Sequence, residues 1–397
     1  MWYQGLAQLS TMQTILTVIL FLHLTTVSVT LYLHRFSAHR ALQLHPGLQH
    51  LFRCWLWLTT GMSTKEWTAV HRKHHATCET EQDPHSPVFK GLKTVLWRGT
   101  ELYQQAVTPQ TLEKYGKGTP DDLLERRLYR HSGLGISLML AIDLLLFGVI
   151  GITVWAIQML WIPVTAAGII NGLGHACGYR NFECPDASRN IVPWGILIGG
   201  EELHNNHHTY PNSPKLAVKR WELDLGWYWI RLFSALGLAQ VNYHGPLAER
   251  IPGKHRIDLD TAWGALNDRF QIMAHYSRQV VSPLIKDEKS RIDKRKTALL
   301  KRAKFFISGE RSLWLDRPGV MQEVKSLLAQ HPDLMHIYEM RKALQDIWHQ
   351  GAHNMNGMML ALQEWCQRAE ASQIKALHEF ADYLRSYSIP ATITARA

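Results

Sequence analysis

A chain of 397 residues with 46% hydrophobic and 10% aromatic residues is long enough for two domains, and this composition excludes wholesale disorder. Its formal net charge of +10 indicates an anionic partner, for which nucleic acid, an anionic membrane face and an acidic lipid substrate all qualify. The five cysteines form no C-x-x-C pair, which argues against a disulfide framework, a zinc ribbon and an iron–sulfur cluster.

Three apolar stretches predict membrane-associated elements. Thr11 to Leu33 carries no charge and is long enough to cross about 30 Å of hydrocarbon. A cleaved signal peptide is the alternative, but no positively charged residue precedes this stretch. Gly47 to Thr64 contains an arginine and two tryptophans, so we expect it to lie in the membrane interface. Gly133 to Asn171 contains one acid, Asp143, and predicts two antiparallel spans that turn near Gly151.

The distribution of lysine and arginine predicts the orientation. Both are absent from Met1 to Leu33 and from His131 to Tyr179, whereas Lys65 to Arg130 is rich in them. The positive-inside tendency therefore places Lys65 to Arg130 in the cytoplasm and the N-terminus outside. We expect three crossings of a bacterial cytoplasmic membrane, with the active site on the cytoplasmic side.

The histidines form the most informative pattern of the chain. Of 22 histidines, many fall into one H-x-x-x-x-H and two H-x-x-H-H clusters beside predicted membrane segments. The clusters are His34 and His39; His71, His74 and His75; and His204, His207 and His208. His175 follows the last apolar run as N-x-x-x-H, beginning at Asn171.

Helix geometry relates these spacings to metal binding. Residues at i, i+3 and i+4 share one helix face, so each H-x-x-H-H presents three imidazoles on one surface. H-x-x-x-x-H turns about 140° on a regular helix, which suits either a loosened helix end or ligands for two different ions. Both possibilities favour a dinuclear centre. Imidazole binds iron, copper, zinc and nickel alike, so the ligands alone do not name the metal.

Two shorter motifs resemble sites that we do not expect here. His45-Pro-Gly mimics the start of a cytochrome b₅ haem motif, but a haem domain needs a fold of its own around two axial ligands. Glu201-x-x-His204 mimics the E-x-x-H of soluble di-iron bundles, yet it occurs once beside the site. We therefore expect Glu201 to be a supporting or structural carboxylate.

Longer segments around the clusters resemble a known family. HRFSAHR, HRKHHATCETEQDPHSP, NGLGH, GGEELHNNHHTYP and RWELDLGWYWIRLFSALGLA are closely similar to the histidine boxes and flanks of Δ9 desaturases of the stearoyl desaturase type. The resemblance covers roughly Leu31 to Ala239. It implies an all-α, integral-membrane desaturase-type domain with a cytoplasmic di-iron cap.

The same resemblance implies a site of two irons held by nine histidines and by a water on Asn171. One iron would take His34, His75, His175, His204 and His208. The other would take His39, His71, His74 and His207.

The implied reaction inserts a cis double bond, at Δ9, into a saturated acyl chain carried by CoA or phospholipid, in unsaturated fatty acid biosynthesis. Acid–base side chains cannot remove hydrogen from an unactivated methylene, so a redox metal and O₂ must supply the oxidant. Two electrons must then come from a separate protein: ferredoxin, cytochrome b₅ or a reductase. We expect no nucleic-acid partner.

Several side chains are candidates for substrate contacts. Trp55, Trp57 and Trp67 could line an acyl tunnel or anchor the interface. The basic residues Arg35, Arg72 and Lys73 could attract a phosphate headgroup or act as positive-inside anchors. Two other functions stay open: a di-iron hydroxylase, and a histidine-rich membrane metal-binding protein or transporter, which predicts ionisable residues through the membrane interior.

From about His244 the composition becomes charged and helix-favouring, which predicts a cytoplasmic helical appendage of unknown role. We therefore divide the chain into a membrane domain, 1–245, and an appendage, 246–397. The histidines of the appendage form no comparable cluster; they include His255, His275, His331, His336, His349 and His353. We expect the appendage to be dispensable for iron binding.

Overall fold

The computed structural model describes residues 5–242, 248–291, 297–308, 319–351 and 354–389, and most of these residues are helical. The chain forms two compact units. Unit 1 consists of Met1–Arg180 and Ser188–Gly245, and unit 2 consists of Asn181–Ala187 and Pro246–Ala397. The domain boundary predicted at 245/246 lies in 243–247, outside the described residues. His353 also lies outside the described residues. The sequence did not indicate that Asn181–Ala187 belongs with the C-terminal region.

Unit 1 contains ten α-helices among its described residues. They are α1 (Thr11–Ser28), α2 (Pro46–Thr59), α3 (Thr64–Thr77), α4 (Pro87–Lys90), α5 (Leu92–Ala106), α6 (Pro109–Tyr115), α7 (Ser132–Phe147), α8 (Ile150–Ile162), α9 (His204–Thr209) and α10 (Leu225–Ala235). Three π-helical segments, Val29–Ala38, Glu125–Tyr129 and Pro163–Leu173, complete the helical part. Two short strand pairs join distant parts: antiparallel β1 (Leu42–Leu44) with β4 (Ala239–Val241), and parallel β2 (Trp194–Gly195) with β3 (Leu223–Asp224).

Two helices of the described chain are long and apolar enough to cross a membrane: Thr11–Ala38 and Ile150–Leu173. Each is an α-helix that continues into a π-helical segment. The helix α7 is apolar but shorter, with 16 residues. The predicted turn between α7 and α8 lies at Gly148 rather than Gly151, because Gly148 adopts φ +63°, a left-handed conformation that glycine takes without strain.

The hairpin of α7 and α8 accommodates a buried acid. Asp143 of α7 is fully buried and accepts a hydrogen bond of 2.9 Å from the side-chain amide of Gln158 in α8. Gly151 permits this close packing, since a Cβ there would come within 2.2 Å of the Asp143 carbonyl oxygen. A paired acid of this kind links two helices and is not part of a row of ionisable groups.

The helix α2, which covers most of the apolar stretch from Gly47 to Thr64, has 14 residues and is about 21 Å long. Its length is below that of a membrane span, in line with the interfacial position predicted for it. His45 caps its N-terminus: the His45 Nδ1 accepts a hydrogen bond of 3.2 Å from the Gly47 N–H. The H-P-G motif is therefore a helix start.

Unit 2 is helical in its described residues. Its helices are α11 (Leu259–Asn267), α12 (Arg269–Tyr276), α13 (Ser282–Arg291), α14 (Thr297–Ile307), α15 (Val320–Gln330), α16 (Pro332–Gly351), α17 (Met355–Ala371) and α18 (Lys375–Arg385), with a π-helical segment at Ser277–Val281. Strands β5 (Glu249–Arg250) and β6 (Tyr387–Ser388) pair antiparallel. Fully buried side chains such as Leu344, Trp365 and Phe380 form an apolar core.

Candidate metal centre

All nine predicted histidines converge in unit 1. The π-helical segment Val29–Ala38 contains His34 and ends directly before His39. The helix α3 carries His71, His74 and His75, and α9 carries His204, His207 and His208, while His175 follows the π-helical segment Pro163–Leu173. Segments separated by more than a hundred residues thus bring their imidazoles together.

The imidazoles form two groups, within each of which one ring nitrogen per residue lies within 4.8 Å of every other. The first group contains His34, His39, His71, His75 and His207. The second contains His74, His175, His204 and His208. The family resemblance implied another division: by distance, His34 and His75 lie with the first group and His74 with the second. Which histidines share an ion stays a prediction.

The π-helical backbone explains the position of His34 and His39. The His39 N–H donates to the His34 carbonyl oxygen at 3.1 Å, an i to i+5 hydrogen bond. The wide turn brings the two side chains to the same side of the helix, where their rings meet edge to face with centroids 4.9 Å apart. Of the two alternatives for H-x-x-x-x-H, the loosened helix is therefore correct, and both residues serve one group.

Ring nitrogens of the first group approach one another closely. The Nε2 atoms are 2.8 Å apart in His39 and His71, 3.0 Å apart in His34 and His207, and 2.9 Å apart in His75 and His207. Two imidazole nitrogens bound at right angles to one metal ion at about 2.1 Å are about 3.0 Å apart. The spacing therefore fits neighbouring ligands of one ion.

The second group has the same character. The Nε2 atoms of His175 and His204 are 3.0 Å apart, and those of His74 and His208 are 3.4 Å apart. All four side chains are buried. Nitrogen donors without thiolates in either group suit a transition metal such as iron, and two adjacent groups provide for two ions.

Three carboxylates orient imidazoles through the Nδ1 atom, which leaves Nε2 directed at the centre. The pairs are His34 with Glu201 at 2.8 Å, His74 with Asp83 at 2.9 Å, and His175 with Glu79 at 3.0 Å. Hydrogen bonds of this kind fix the tautomer and the ring orientation of metal ligands. Glu201 is the supporting carboxylate that the sequence predicted.

Burial controls the protonation of these groups. Burial, followed by the neighbouring imidazoles, lowers the pKa of His39, His71 and His207 well below the usual value, so these rings are neutral. Burial also raises the pKa of Asp83, but the charge of His74 and its hydrogen bond outweigh burial and lower the pKa. Neutral imidazoles are the state that metal binding requires.

Two cavities adjoin the first group. The larger, of about 350 Å³, lies between α3, α5, α7 and α8 and is lined mainly by apolar side chains such as Met62, Ile136 and Met159. The smaller, of about 50 Å³, reaches Glu201. His71, Trp67 and Asn171 line both, and the Trp67 ring stacks on His71 at 4.8 Å. Asn171 is thus beside the predicted ligands and faces the cavities.

Sequence reasoning missed several residues of the centre. Asp83 and Glu79 lie in the flank E-T-E-Q-D-P-H, whose acids follow directly after the second histidine cluster and could have signalled the supporting role. His85 is buried, lines the larger cavity and lies with its ring centroid 4.3 Å from that of His74. The Cys78 Sγ lies 3.9 Å from the His74 Nε2.

The basic candidates have structural contacts. Arg35 is 1% exposed and bonds to Asp224 at 2.9 Å, so it does not face a headgroup. Arg72 donates to carbonyl oxygens of Ser37 and Ala38 and so braces the end of the first cluster. Trp67 is the one tryptophan of the three candidates that lines the described cavities.

The described chain is thus a helical protein with two apolar helices of membrane-spanning length and a buried to partly buried centre of nine histidines. The model of the family described as fatty acid desaturase matches residues 10–244, well over half of the chain. The chain belongs to the fatty acid desaturase family.

Similar proteins carry related names. The chain is 32% identical over 233 residues to "Probable lipid desaturase ADS3.2, chloroplastic" of Arabidopsis thaliana. The matched region covers 57% of this chain and 63% of that protein. It is 30% identical to "Delta-9 acyl-lipid desaturase 2" of the same plant, over 55% of this chain and 71% of the relative. It is 31% identical to "sn-1 stearoyl-lipid 9-desaturase" of Synechocystis sp., over 54% of this chain and 66% of the relative.

A second family model, described as transposase, matches residues 265–392. This match covers about a third of the chain, and its residues lie in unit 2. It records a likeness of the helical unit and, at this coverage, does not assign the chain to that family.

Proposed function

We propose that this protein is an O₂-dependent fatty acyl desaturase that inserts a cis double bond into a saturated acyl chain, with two iron ions at the histidine centre. The observation that carries the proposal is the convergence of nine imidazoles in two groups beside a largely apolar cavity. Family membership supports the reaction class. When bound, the irons supply the redox chemistry that activates O₂ and removes two hydrogens from neighbouring methylenes.

The side chains of the protein hold and orient the reactants. His34, His39, His71, His75 and His207 would hold one ion, and His74, His175, His204 and His208 the other. Asn171, which lines both cavities, would hold a water ligand. The acyl chain would lie in the larger cavity, where Trp67 and His71 form the wall nearest the first group. A mainly apolar cavity excludes water and fixes which carbons face the metals.

We propose the Δ9 position because relatives carry it in their names. A fixed distance between the cavity wall at the metals and the site that holds the carrier end of the chain determines which carbon pair reacts. A fixed distance therefore gives a single double-bond position, which product analysis would identify.

We propose a phospholipid rather than CoA as the acyl carrier. Among the described residues that line the two cavities there is no lysine or arginine, whereas CoA carries several phosphates that basic side chains would bind. The larger cavity instead contains one acid, Glu66, whose pKa burial raises. Relatives named for acyl-lipid and stearoyl-lipid substrates support the same carrier.

We also propose a cellular location, an electron donor and a domain division. The two long apolar helices favour a multi-pass protein of a bacterial cytoplasmic membrane, and the lysine and arginine asymmetry favours a centre on the cytoplasmic side. The two electrons per turnover would come from a separate protein such as ferredoxin, cytochrome b₅ or a reductase. Residues 1–245 would be the membrane desaturase domain, and 246–397 the helical appendage.

The decisive experiment is fatty-acid methyl-ester analysis of a host that expresses the protein, with phospholipid and CoA pools separated before hydrolysis. We expect a Δ9 cis-monounsaturated product that appears first in the phospholipid pool. The matched control is the His208→Ala variant at equal expression, which should give none. A hydroxylated product would assign a di-iron hydroxylase, and an unchanged profile in an iron-loaded protein would favour a metal-binding role.

A further inference from the structure

The short segment Asn181–Ala187 belongs to unit 2, although the residues on both sides of it, Arg180 and Ser188, belong to unit 1. It lies in the sequence between His175 and the third histidine cluster. The chain therefore leaves the histidine-bearing unit and returns to it within a few residues, and the contacts at the tip and at the base of this loop can be described separately.

At the tip, a buried ion pair holds the segment. Arg341 of α16 is 4% exposed, and its guanidinium lies 2.8 Å from a carboxylate oxygen of Glu183. The same guanidinium donates to the carbonyl oxygen of Ser308. The Glu183 N–H donates to the Phe270 carbonyl oxygen at 3.1 Å, and Phe182 is fully buried. Side-chain and backbone bonds thus anchor the tip to helices of unit 2.

At the base, backbone pairing closes the loop beside the histidines. Tyr179 and Asn190 exchange two hydrogen bonds of 2.9 and 2.8 Å, only four residues after His175. The Asn190 side chain then bonds to α9: its Oδ1 accepts from the Asn206 N–H at 3.1 Å, and its Nδ2 donates to the Asn206 Oδ1 at 3.0 Å. Asn206 directly precedes His207.

We propose that Glu183 and Arg341 are positioning residues for the histidine centre. The ion pair orders the loop tip, the ordered tip fixes the return of the chain through Tyr179 and Asn190, and Asn190 in turn holds α9 with its three histidines. Removing one partner leaves a buried charge uncompensated, which frees the segment. The transposase-like helical unit thereby contributes to metal binding through a covalent loop, without supplying a ligand.

The experiment measures hydrogen–deuterium exchange and iron content of the full-length protein in detergent. The variants are Glu183→Gln, which removes one charge from the loop without changing its size, and Arg341→Ala, with Arg341→Lys as a partial rescue. The matched control is Arg385→Ala, which breaks ion pairs with Glu370 and Asp382 elsewhere in unit 2. Peptides 176–190 and 203–210 report the loop and α9.

We expect Glu183→Gln and Arg341→Ala to raise exchange about tenfold in both peptides, as loss of a buried charge partner predicts, and to lower iron per chain about twofold or more. Arg341→Lys should lie between these variants and the wild type, and Arg385→Ala should match the wild type. Faster exchange confined to 176–190, with 203–210 and iron unchanged, would overturn the proposal. Equal effects in Arg385→Ala would also overturn it, because they would reflect general loosening of unit 2.

The inference rests on the proposed function only for the iron measurement. If the wild type held no iron, the proposed desaturase centre would fail, whereas faster exchange of 203–210 in the two variants would still establish the positioning role. The two failures are therefore distinguishable.

Discussion

The two units of this protein both bury apolar side chains but differ in the polar groups that are buried with them. Unit 1 buries histidines and carboxylates, among them His74, His204, Asp83 and Glu79, at the convergence of four chain segments. Unit 2 buries a continuous set of leucine, isoleucine, methionine and aromatic side chains. Burying polar groups costs free energy unless each finds a partner, so a concentration of them is retained for function. The contrast supports the proposal that the metal centre lies in unit 1.

Histidines follow the same contrast. In unit 1, nine of them have nitrogens within ligand spacing. In unit 2, His275 stacks on Tyr383 at 3.7 Å and His331 forms a partly buried ion pair with Glu288 at 3.0 Å. Within the described part of unit 2, no three potential metal ligands of that unit alone form a group.

The largest expected effect comes from the predicted ligands. Alanine at any one of His34, His39, His71, His74, His75, His204, His207 or His208 should reduce desaturation below detection, because each substitution removes one imidazole of a shared site. His175→Ala should do the same if it is a ligand of the second group. Methyl-ester analysis at matched expression measures the effect.

The controls for these substitutions are the exposed His50→Ala in unit 1 and His331→Ala in unit 2. Both should retain full activity. Full activity in two or more of the cluster variants, or loss in His331→Ala, would break the contrast between the units.

The supporting carboxylates should give the next effect. Glu201→Gln, Asp83→Asn and Glu79→Gln keep side-chain size but weaken the hydrogen bond to the Nδ1 atom. We expect iron affinity to fall about 10- to 100-fold, as is usual for such partners of metal ligands. Competition with a chelator measures the affinity. Glu81 is exposed in the same loop as Glu79 and Asp83, so Glu81→Gln should leave the iron affinity unchanged. Equal affinity in all four variants would refute the role of the carboxylates.

Removal of most of unit 2 by truncation tests the same contrast. A chain that ends at Pro252 keeps every predicted ligand, and the sequence alone predicts that it retains about two irons. The truncation also removes Arg341 and Phe270, the partners of Glu183. We therefore expect a partial, roughly twofold or larger loss of iron per chain, with the membrane region still folded by circular dichroism. Full retention would support the sequence prediction and refute the positioning role.

The smallest expected effect concerns pH and unit 2. Burial, together with Arg278 and Arg250, lowers the pKa of His275 to about 4. The unfolded chain then binds more protons than the folded chain between the ordinary pKa and about 4, so the stability of unit 2 is full at neutral pH and falls as the pH drops through this window. After allowance for solvent screening, we expect a loss of about 1 kcal/mol.

Hydrogen exchange of the α12 peptide at pH 7 and pH 5 measures this loss. His275→Gln should flatten the dependence, and His255→Gln serves as the control because His255 is exposed in the same unit. An unchanged slope in His275→Gln would assign the pH dependence to other groups.

The sequence predicted much of this arrangement, and the exceptions have physical causes. Cluster membership followed from spacing, and α1 from its apolar length. The division of the histidines between the two groups could not be predicted from spacing. It depends on the π-helical turn between His34 and His39 and on how α3 and α9 face each other. The assignment of Asn181–Ala187 to unit 2 depends on a pairing of Glu183 with Arg341, which are far apart in the chain and carry no local signal.

The π-helical turn at Val29–Ala38 has a consequence for sequence variation. A π-helical turn holds one residue more than an α-helical turn, so deletion of a single residue there would restore a regular helix at little cost in backbone hydrogen bonds. The same deletion would rotate His34 by about 100° relative to His39 and separate the two imidazoles. This segment should therefore tolerate changes of residue type between its histidines far better than any change of length, and homologues that keep the centre should align here without gaps.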